Sequence, residues 1–304
     1  MTTRLPRLLS VMTALAAIAV VSGCGSSSSG GGGAGDSGRI PVVAAENFWG
    51  DIAKQIGGTH VEVTSIISDP NADPHLFESD PRDAAALSGA KLVIENGVGY
   101  DDFMDKLLAT DGGSRRVLSV QKVLGVTASD ANPHLWYWTA RLHEVAQAIS
   151  QQLGAIDPTD AKDFAAAARR FDASLKPLLD TIATIKRKYA GTKIAYTERV
   201  PGYLVAACGL KLGMPPSFAQ ALEAGNDPSP QDTAAFEASI SAHAVDVLLY
   251  NSQVVDAQTT RIKQLANRAK VPVVGVSETL PQTYPDFQAW QLAQARALLE
   301  ALGG

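Results

Sequence analysis

The sequence predicts an α/β protein of two lobes, each with a mainly parallel sheet flanked by helices, joined by one long linking helix. Three observations lead there. From residue 40 onward, short β-rich runs alternate with helical patterns at the spacing of strand–helix–strand units. Helices repeatedly open on a capping residue followed by proline, as at Asp80-Pro81, Asp157-Pro158 and Ser229-Pro230. From Asp157 to near Lys188 one amphipathic pattern runs on, with Phe164, Ala167, Phe171, Leu175, Leu178, Ile182 and Ile185 at steps of three and four. At roughly 30 residues it is long for a globular domain, and Pro177 is placed to kink it.

The chain opens outside the fold. Arg4 and Arg7 precede an apolar run over residues 8–21, too short for the ~20 residues a membrane span needs. This is the pattern of a secretory signal, residues 1–23. The run ends in Val21-Ser22-Gly23-Cys24, which resembles a bacterial lipobox. That resemblance implies cleavage before Cys24 and a lipid on its thiol. Residues 24–39 are nearly all Gly and Ser, a composition that cannot bury a core and behaves as a flexible tether. A protein anchored to the membrane on its extracytoplasmic face is expected. Only Cys208 then remains, in an apolar run, so an internal disulfide is excluded and a buried small hydrophobe is expected.

The first lobe is assigned to residues 40–156. Strands are predicted at 42–45, 61–67, 91–95 and 116–120. Helices are predicted from Asn47 to the Gly57-Gly58 pair, from Pro81 to about Ser88, at 99–109 and at 139–153. Residues 157–190 form the linking helix. The second lobe, residues 191–304, has strands at 193–197, 245–250 and 271–276. Its helices are expected at 201–208, 230–242, 256–269 and 286–302. The lobes read as a βα duplication, although no sequence repeat proves it. A formal charge of −5 offers no basic face for nucleic acid.

In open α/β sheets, ligands bind beyond the carboxyl ends of strands. Four polar groups fall there, two from each lobe. His75, in Asp73-Pro74-His75, follows the second strand; His134, in Asn132-Pro133-His134-Leu135-Trp136, follows the fourth. Glu198 follows the strand at 193–197 and Glu278 the strand at 271–276. Imidazole and carboxylate suit Mn²⁺ and Zn²⁺, and two carboxylates cancel the ion's charge. His60, His143 and His243 are read as surface or hydrogen-bonded residues. Asp73 and Asn132 are read as turn formers able to orient the imidazoles. Trp49, Trp136 and Trp138 are expected to pack near the cleft.

Together these motifs resemble the cluster A-I family of metal-binding proteins of ABC importers. The likeness covers residue 40 to the end. It rests on Asn47-Phe48-Trp49, the Gly57-Gly58 pair, the two Pro-His motifs and the linking helix. Pro228-Ser229-Pro230 and the Val247-Leu248-Leu249-Tyr250 strand add to it. The resemblance implies a monomeric substrate-binding lipoprotein that takes Mn²⁺ or Zn²⁺ to a permease and its cytoplasmic ATPase. It implies His75, His134, Glu198 and Glu278 as ligands, the last standing where the family commonly has aspartate. Hardness favours Mn²⁺ and the Irving–Williams order favours Zn²⁺. An adhesin and a metal-dependent hydrolase are the alternatives. No Gly-x-Ser-x-Gly nucleophile motif supports the latter.

Overall fold

The structure, a computed structural model, describes residues 38–69, 77–110, 113–128 and 130–304. The signal segment, Cys24, most of the tether, and Asp73, Pro74 and His75 lie outside the described residues.

The first lobe runs β1 (Ile40–Glu46), α1 (Asn47–Gly57), β2 (Val61–Ile67), α2 (Pro81–Gly89), β3 (Leu92–Glu95), α3 (Asp102–Thr110), β4 (Arg116–Ser119), the short α4 (Val120–Val123) and α5 (Leu142–Ile156). All its strands are parallel, in the order β2-β1-β3-β4. β1 lies inside the sheet and is apolar on both faces, as a doubly covered parallel strand must be. Val42 and Ala44 face the main core, whereas Val43 and Ala45 pack with Leu87, Val93 and Met104 under α2 and α3. Asp80 closes a capping box with Asp83, which with Pro81 starts α2 where the sequence places it.

The linking segment is helical from α6 (Ala161–Ser174) through α7 (Lys176–Tyr189) and bends at Leu175. Pro177 sits in the first turn of α7, where its missing N–H leaves no helical bond unmade. Leu175 N–H donates instead to Asp172 O at 3.2 Å, a tighter local turn.

The second lobe runs β5 (Lys193–Tyr196), α8 (Gly202–Ala207), β6 (Lys211–Leu212), α9 (Pro216–Glu223), α10 (Pro230–Ser241), β7 (Leu248–Asn251), α11 (Ala257–Ala269), β8 (Val273–Val276) and α12 (Phe287–Ala301). Its strands are parallel in the order β6-β5-β7-β8, which repeats the arrangement of the first sheet. β6 and α9 were not expected from the sequence.

Residues 38–304 form one compact body, and the two lobes share a core. Phe48 of α1 stacks on Trp136 at 4.1 Å and approaches Trp290 of α12 at 6.4 Å. Asn47 ties the lobes by a reciprocal pair. Its Nδ2 donates to Leu280 O at 2.8 Å and its Oδ1 accepts Leu280 N–H at 2.9 Å. Among the described residues, no helix is long and apolar enough to cross a membrane.

Candidate metal centre

Parallel sheets of this kind present the carboxyl ends of their strands to one edge, and the polar residues of this protein gather there. Glu46 ends β1, Asn96 follows β3, Thr197 and Glu198 follow β5, Asn251 ends β7, and Ser277 and Glu278 follow β8. His134 reaches the same region on a loop. Asn96 pins that loop, its Nδ2 donating to Pro133 O at 2.8 Å. His134 and Glu278 are fully buried and Glu198 nearly so, at 0%, 0% and 1% exposure. Three such groups are not taken from water without a partner of their own chemistry.

The orientation of His134 follows from its neighbours. Asn132 Nδ2 donates to Arg199 O at 2.7 Å, so its Oδ1 is the atom turned to the histidine. That oxygen accepts the His134 backbone N–H at 3.1 Å and lies 2.6 Å from Nδ1. Nδ1 therefore carries the proton and Nε2 presents a lone pair. Nε2 stands 3.4 Å from Glu278 Oε2. The same carboxylate oxygen accepts Tyr100 OH at 2.8 Å. Glu278 Oε1 accepts Asn251 Nδ2 at 2.7 Å, and Asn251 Nδ2 also donates to Glu198 Oε2. His134 thus meets Glu278 directly, and Glu198 is linked to Glu278 through Asn251, each side chain held by a neighbour that is not itself a metal ligand. This donor set suits a divalent cation, and its two negative charges would neutralise one.

Burial holds the Tyr100 hydroxyl well above its ordinary pKa, reinforced by the charges of Glu278 and Glu46, so it stays a donor to Glu278. The adjoining first-lobe carboxyls are also shifted upward. Burial raises Asp101 to about 6, although the Gly97 and Asn96 N–H groups oppose it. Burial, then Asp101 and Glu95, raise Glu46 well above the usual carboxylate range. A cleft of about 210 Å³ opens beside the centre, lined by Tyr100, Pro133 and Arg199 among others.

Of the four expected ligands, His134 and Glu278 approach each other directly, and Glu198 is joined to Glu278 through Asn251. His75 lies outside the described residues. The neighbouring Arg199 is engaged elsewhere, pairing with Glu223 at 2.5 Å. Asn132 does orient an imidazole. Trp49 and Trp136 are fully buried near the centre, and Trp138 stacks on Tyr203 at 4.8 Å. Cys208 is buried, which pushes its thiol up to about 12. His60 Nδ1 lies 2.7 Å from Asp160 Oδ2, with Asp163 nearby, on a partly exposed surface away from the carboxyl ends of the strands. His143 is half-buried, with Nδ1 3.2 Å from Ala140 O. Tyr100, Asn251 and Gln253 were not expected at the site. Asn251 could have been found by the same strand-end rule that found Glu198 and Glu278. Tyr100 could not, since it meets Glu278 from 178 residues away.

Fold and site together define a two-lobed α/β binding protein with a buried polar centre at its strand ends. The chain belongs to the family described as the periplasmic component A of zinc-uptake complexes, whose sequence model matches residues 42–301. It is similar to the manganese-binding lipoprotein MntA of Bacillus subtilis, 26% identical over 46% of this chain and 48% of that protein. It is similar also to the metal ABC transporter substrate-binding lipoprotein FimA of Streptococcus parasanguinis, 31% identical over 43% and 46% of the two chains. These matches span about half the length of each relative. In fold, it resembles a Mn-bound periplasmic metal-binding protein of Candidatus Liberibacter asiaticus. That likeness has a TM-score of 0.72 at 19% identity, covering 87% of this chain and 99% of the other. The protein FpvC of P. aeruginosa, in complex with Ni²⁺, matches with a TM-score of 0.73 at 19% identity, over 87% of this chain and 97% of that one.

Proposed function

We propose that this protein is the extracytoplasmic substrate-binding component of an ABC importer for Mn²⁺ or Zn²⁺. It holds the ion with His75, His134, Glu198 and Glu278, and passes it to a permease driven by a cytoplasmic ATPase. The observation that carries this reading is the convergence of His134 Nε2 on Glu278 Oε2 at 3.4 Å. Glu198 is tied to the same carboxylate through Asn251. Membership of a zinc-uptake family and the manganese-binding relative support the class of cargo. The protein captures and releases its ion without turnover, a role that its membership of an uptake family supports.

Metal-stripped protein titrated with Mn²⁺ and Zn²⁺ in competition tests this. One tight site per chain is expected. His134→Ala and Glu278→Ala should each weaken it beyond the ~10–100-fold that loss of an outer partner costs. Absence of tight binding for both ions ends the importer reading, and unchanged binding in both variants ends the site assignment.

Residues 1–23 serve as the export signal, Cys24 carries the lipid, and the tether through residue 39 lets the monomeric folded body reach the permease. Cys24→Ala should move the protein from the membrane fraction to the soluble extracytoplasmic fraction. Retention of the variant in membranes, at wild-type level, would sink the lipid anchor.

A further inference from the structure

We infer that Asn251 is a positioning residue that sets the separation of the two glutamate ligands, and through it the affinity and coordination symmetry of the bound ion. This inference rests on the site assignment above. Asn251 ends β7, the strand lying between β5 and β8. Glu198 follows β5 and Glu278 follows β8, so the two carboxylates approach from opposite neighbours of the strand that carries Asn251. The backbone of Asn251 is fixed by its N–H, which donates to Thr197 Oγ1 at 3.0 Å.

The orientation of the amide is determined by its surroundings. Oδ1 accepts the backbone N–H of Gln253 at 3.1 Å. Nδ2 must then point the other way, and it has two hydrogens to give. One goes to Glu198 Oε2 and the other to Glu278 Oε1, the latter at 2.7 Å. A single planar group therefore fixes one oxygen of each carboxylate. The Glu278 oxygen that faces His134 is the other one, Oε2. Asn251 thus restrains the carboxylates from behind while leaving that oxygen to the imidazole side.

Gln253 completes the arrangement from the same segment. Its Oε1 accepts the backbone N–H groups of Glu278 and of Thr279, the latter at 2.9 Å. Its Nε2 donates to Thr279 Oγ1 at 2.7 Å. Asn251 therefore holds the head of Glu278 while Gln253 holds its backbone. The pivot of this long side chain is fixed at both ends, which is what a flexible ligand needs if it is to offer one geometry.

The test is Asn251→Leu, which keeps the branching at Cγ and removes both donors. A second variant, Asn251→Ser, keeps a polar group too short to span the two carboxylates. Mn²⁺ and Zn²⁺ affinities are measured for each, together with the electron paramagnetic resonance spectrum of bound Mn²⁺, whose zero-field splitting reports coordination symmetry. Both variants should bind about 10–100-fold more weakly, the range for loss of an outer-shell partner. Their Mn²⁺ spectra should differ from that of the wild type, and the ratio of Mn²⁺ to Zn²⁺ affinity should change. If Asn251 only packs, melting temperature falls while affinity stays within about twofold of the wild type and the spectrum is unchanged. That result, in whichever variant folds, overturns the inference. Tight wild-type binding lost in Glu278→Ala but intact in both Asn251 variants would leave the site assignment standing and this inference refuted. No binding by the wild type would refute both.

Discussion

At the end of β1 the carboxyl of Glu46 is fully buried, and neither oxygen hydrogen-bonds another described residue. Burial is the largest cause of its raised pKa, ahead of the charges of Asp101 and Glu95. The folded state therefore holds this proton more tightly than the unfolded chain does. Its contribution to stability is full below the unfolded-chain value of 4.5 and is lost as pH rises toward the folded-state value. Glu46→Gln removes that loss while keeping the shape. A buried amide adds a cost of its own, but one that does not vary with pH. The variant should therefore gain on the wild type as pH rises from about 4 to about 7.5, with a slope of at most about 1.4 kcal/mol per pH unit, the limit for one proton. Urea denaturation across the range measures it, and a difference that stays flat with pH would refute the account. Sequence reasoning did not see Glu46 at all. An acid at the end of an apolar run reads as a solvated strand end, and only the neighbouring strands and Tyr100 show that water is excluded.

Elements were legible at most places where a local rule decides them, although at Asp157-Pro158 the rule sets the helix start too early, since α6 begins at Ala161. The start of α2 is written in Asp80-Pro81 with Asp83, and the structure closes a capping box there. Asp256 closes another with Thr259 at the head of α11, and Ser229 caps α10 through Asp232 N–H at 3.0 Å. Pro177 was readable as a disturbance of the linking helix, and the bend indeed lies just before it, at Leu175. Elements that depend on distant partners were not legible. β6 is two residues long and exists only because Lys211 and Leu212 pair with Lys193 and Ile194 of β5. α9 follows immediately, on Pro215-Pro216, where two prolines argue against helix unless the second is its first residue. The helix expected from residue 139 begins at Leu142, because 3₁₀ turns at Leu135–Tyr137 and Thr139–Arg141 precede it. Those tight turns fix the chain beside His134. The strand-end rule found Glu198 and Glu278 because strand and loop are adjacent in sequence. It stopped one residue short at β7, where the predicted end at Tyr250 left Asn251 unexamined.

For the molecule as a whole, the decisive fact is that the two lobes do not own separate cores. Phe48 and Trp136 of the first lobe pack with Trp290 of α12, and Tyr137 OH donates to Ser277 O at 2.8 Å, one residue from Glu278. On the outer side, Asp51 Oδ2 accepts Phe287 N–H at 3.0 Å, and Gln55 and Gln288 exchange amide hydrogen bonds at 2.9 and 2.7 Å. Opening the lobes as a wide hinge would expose these aromatic rings, at a cost of roughly 25 cal/mol for each Å² of apolar surface returned to water. One bound ion contacts only a few side chains and is badly placed to drive so large an area in and out of solvent. Metal capture should therefore rearrange loops and side chains at the strand ends while the folded body, residues 38–304, keeps its dimensions. Solution scattering of that body should give a radius of gyration near 18 Å, the size expected for a compact chain of this length, both stripped and saturated with Mn²⁺ or Zn²⁺. A fall of more than about 1 Å on loading, well outside the spread expected for a fixed compact body of that size, would mean that the shared core parts and re-forms around the ion.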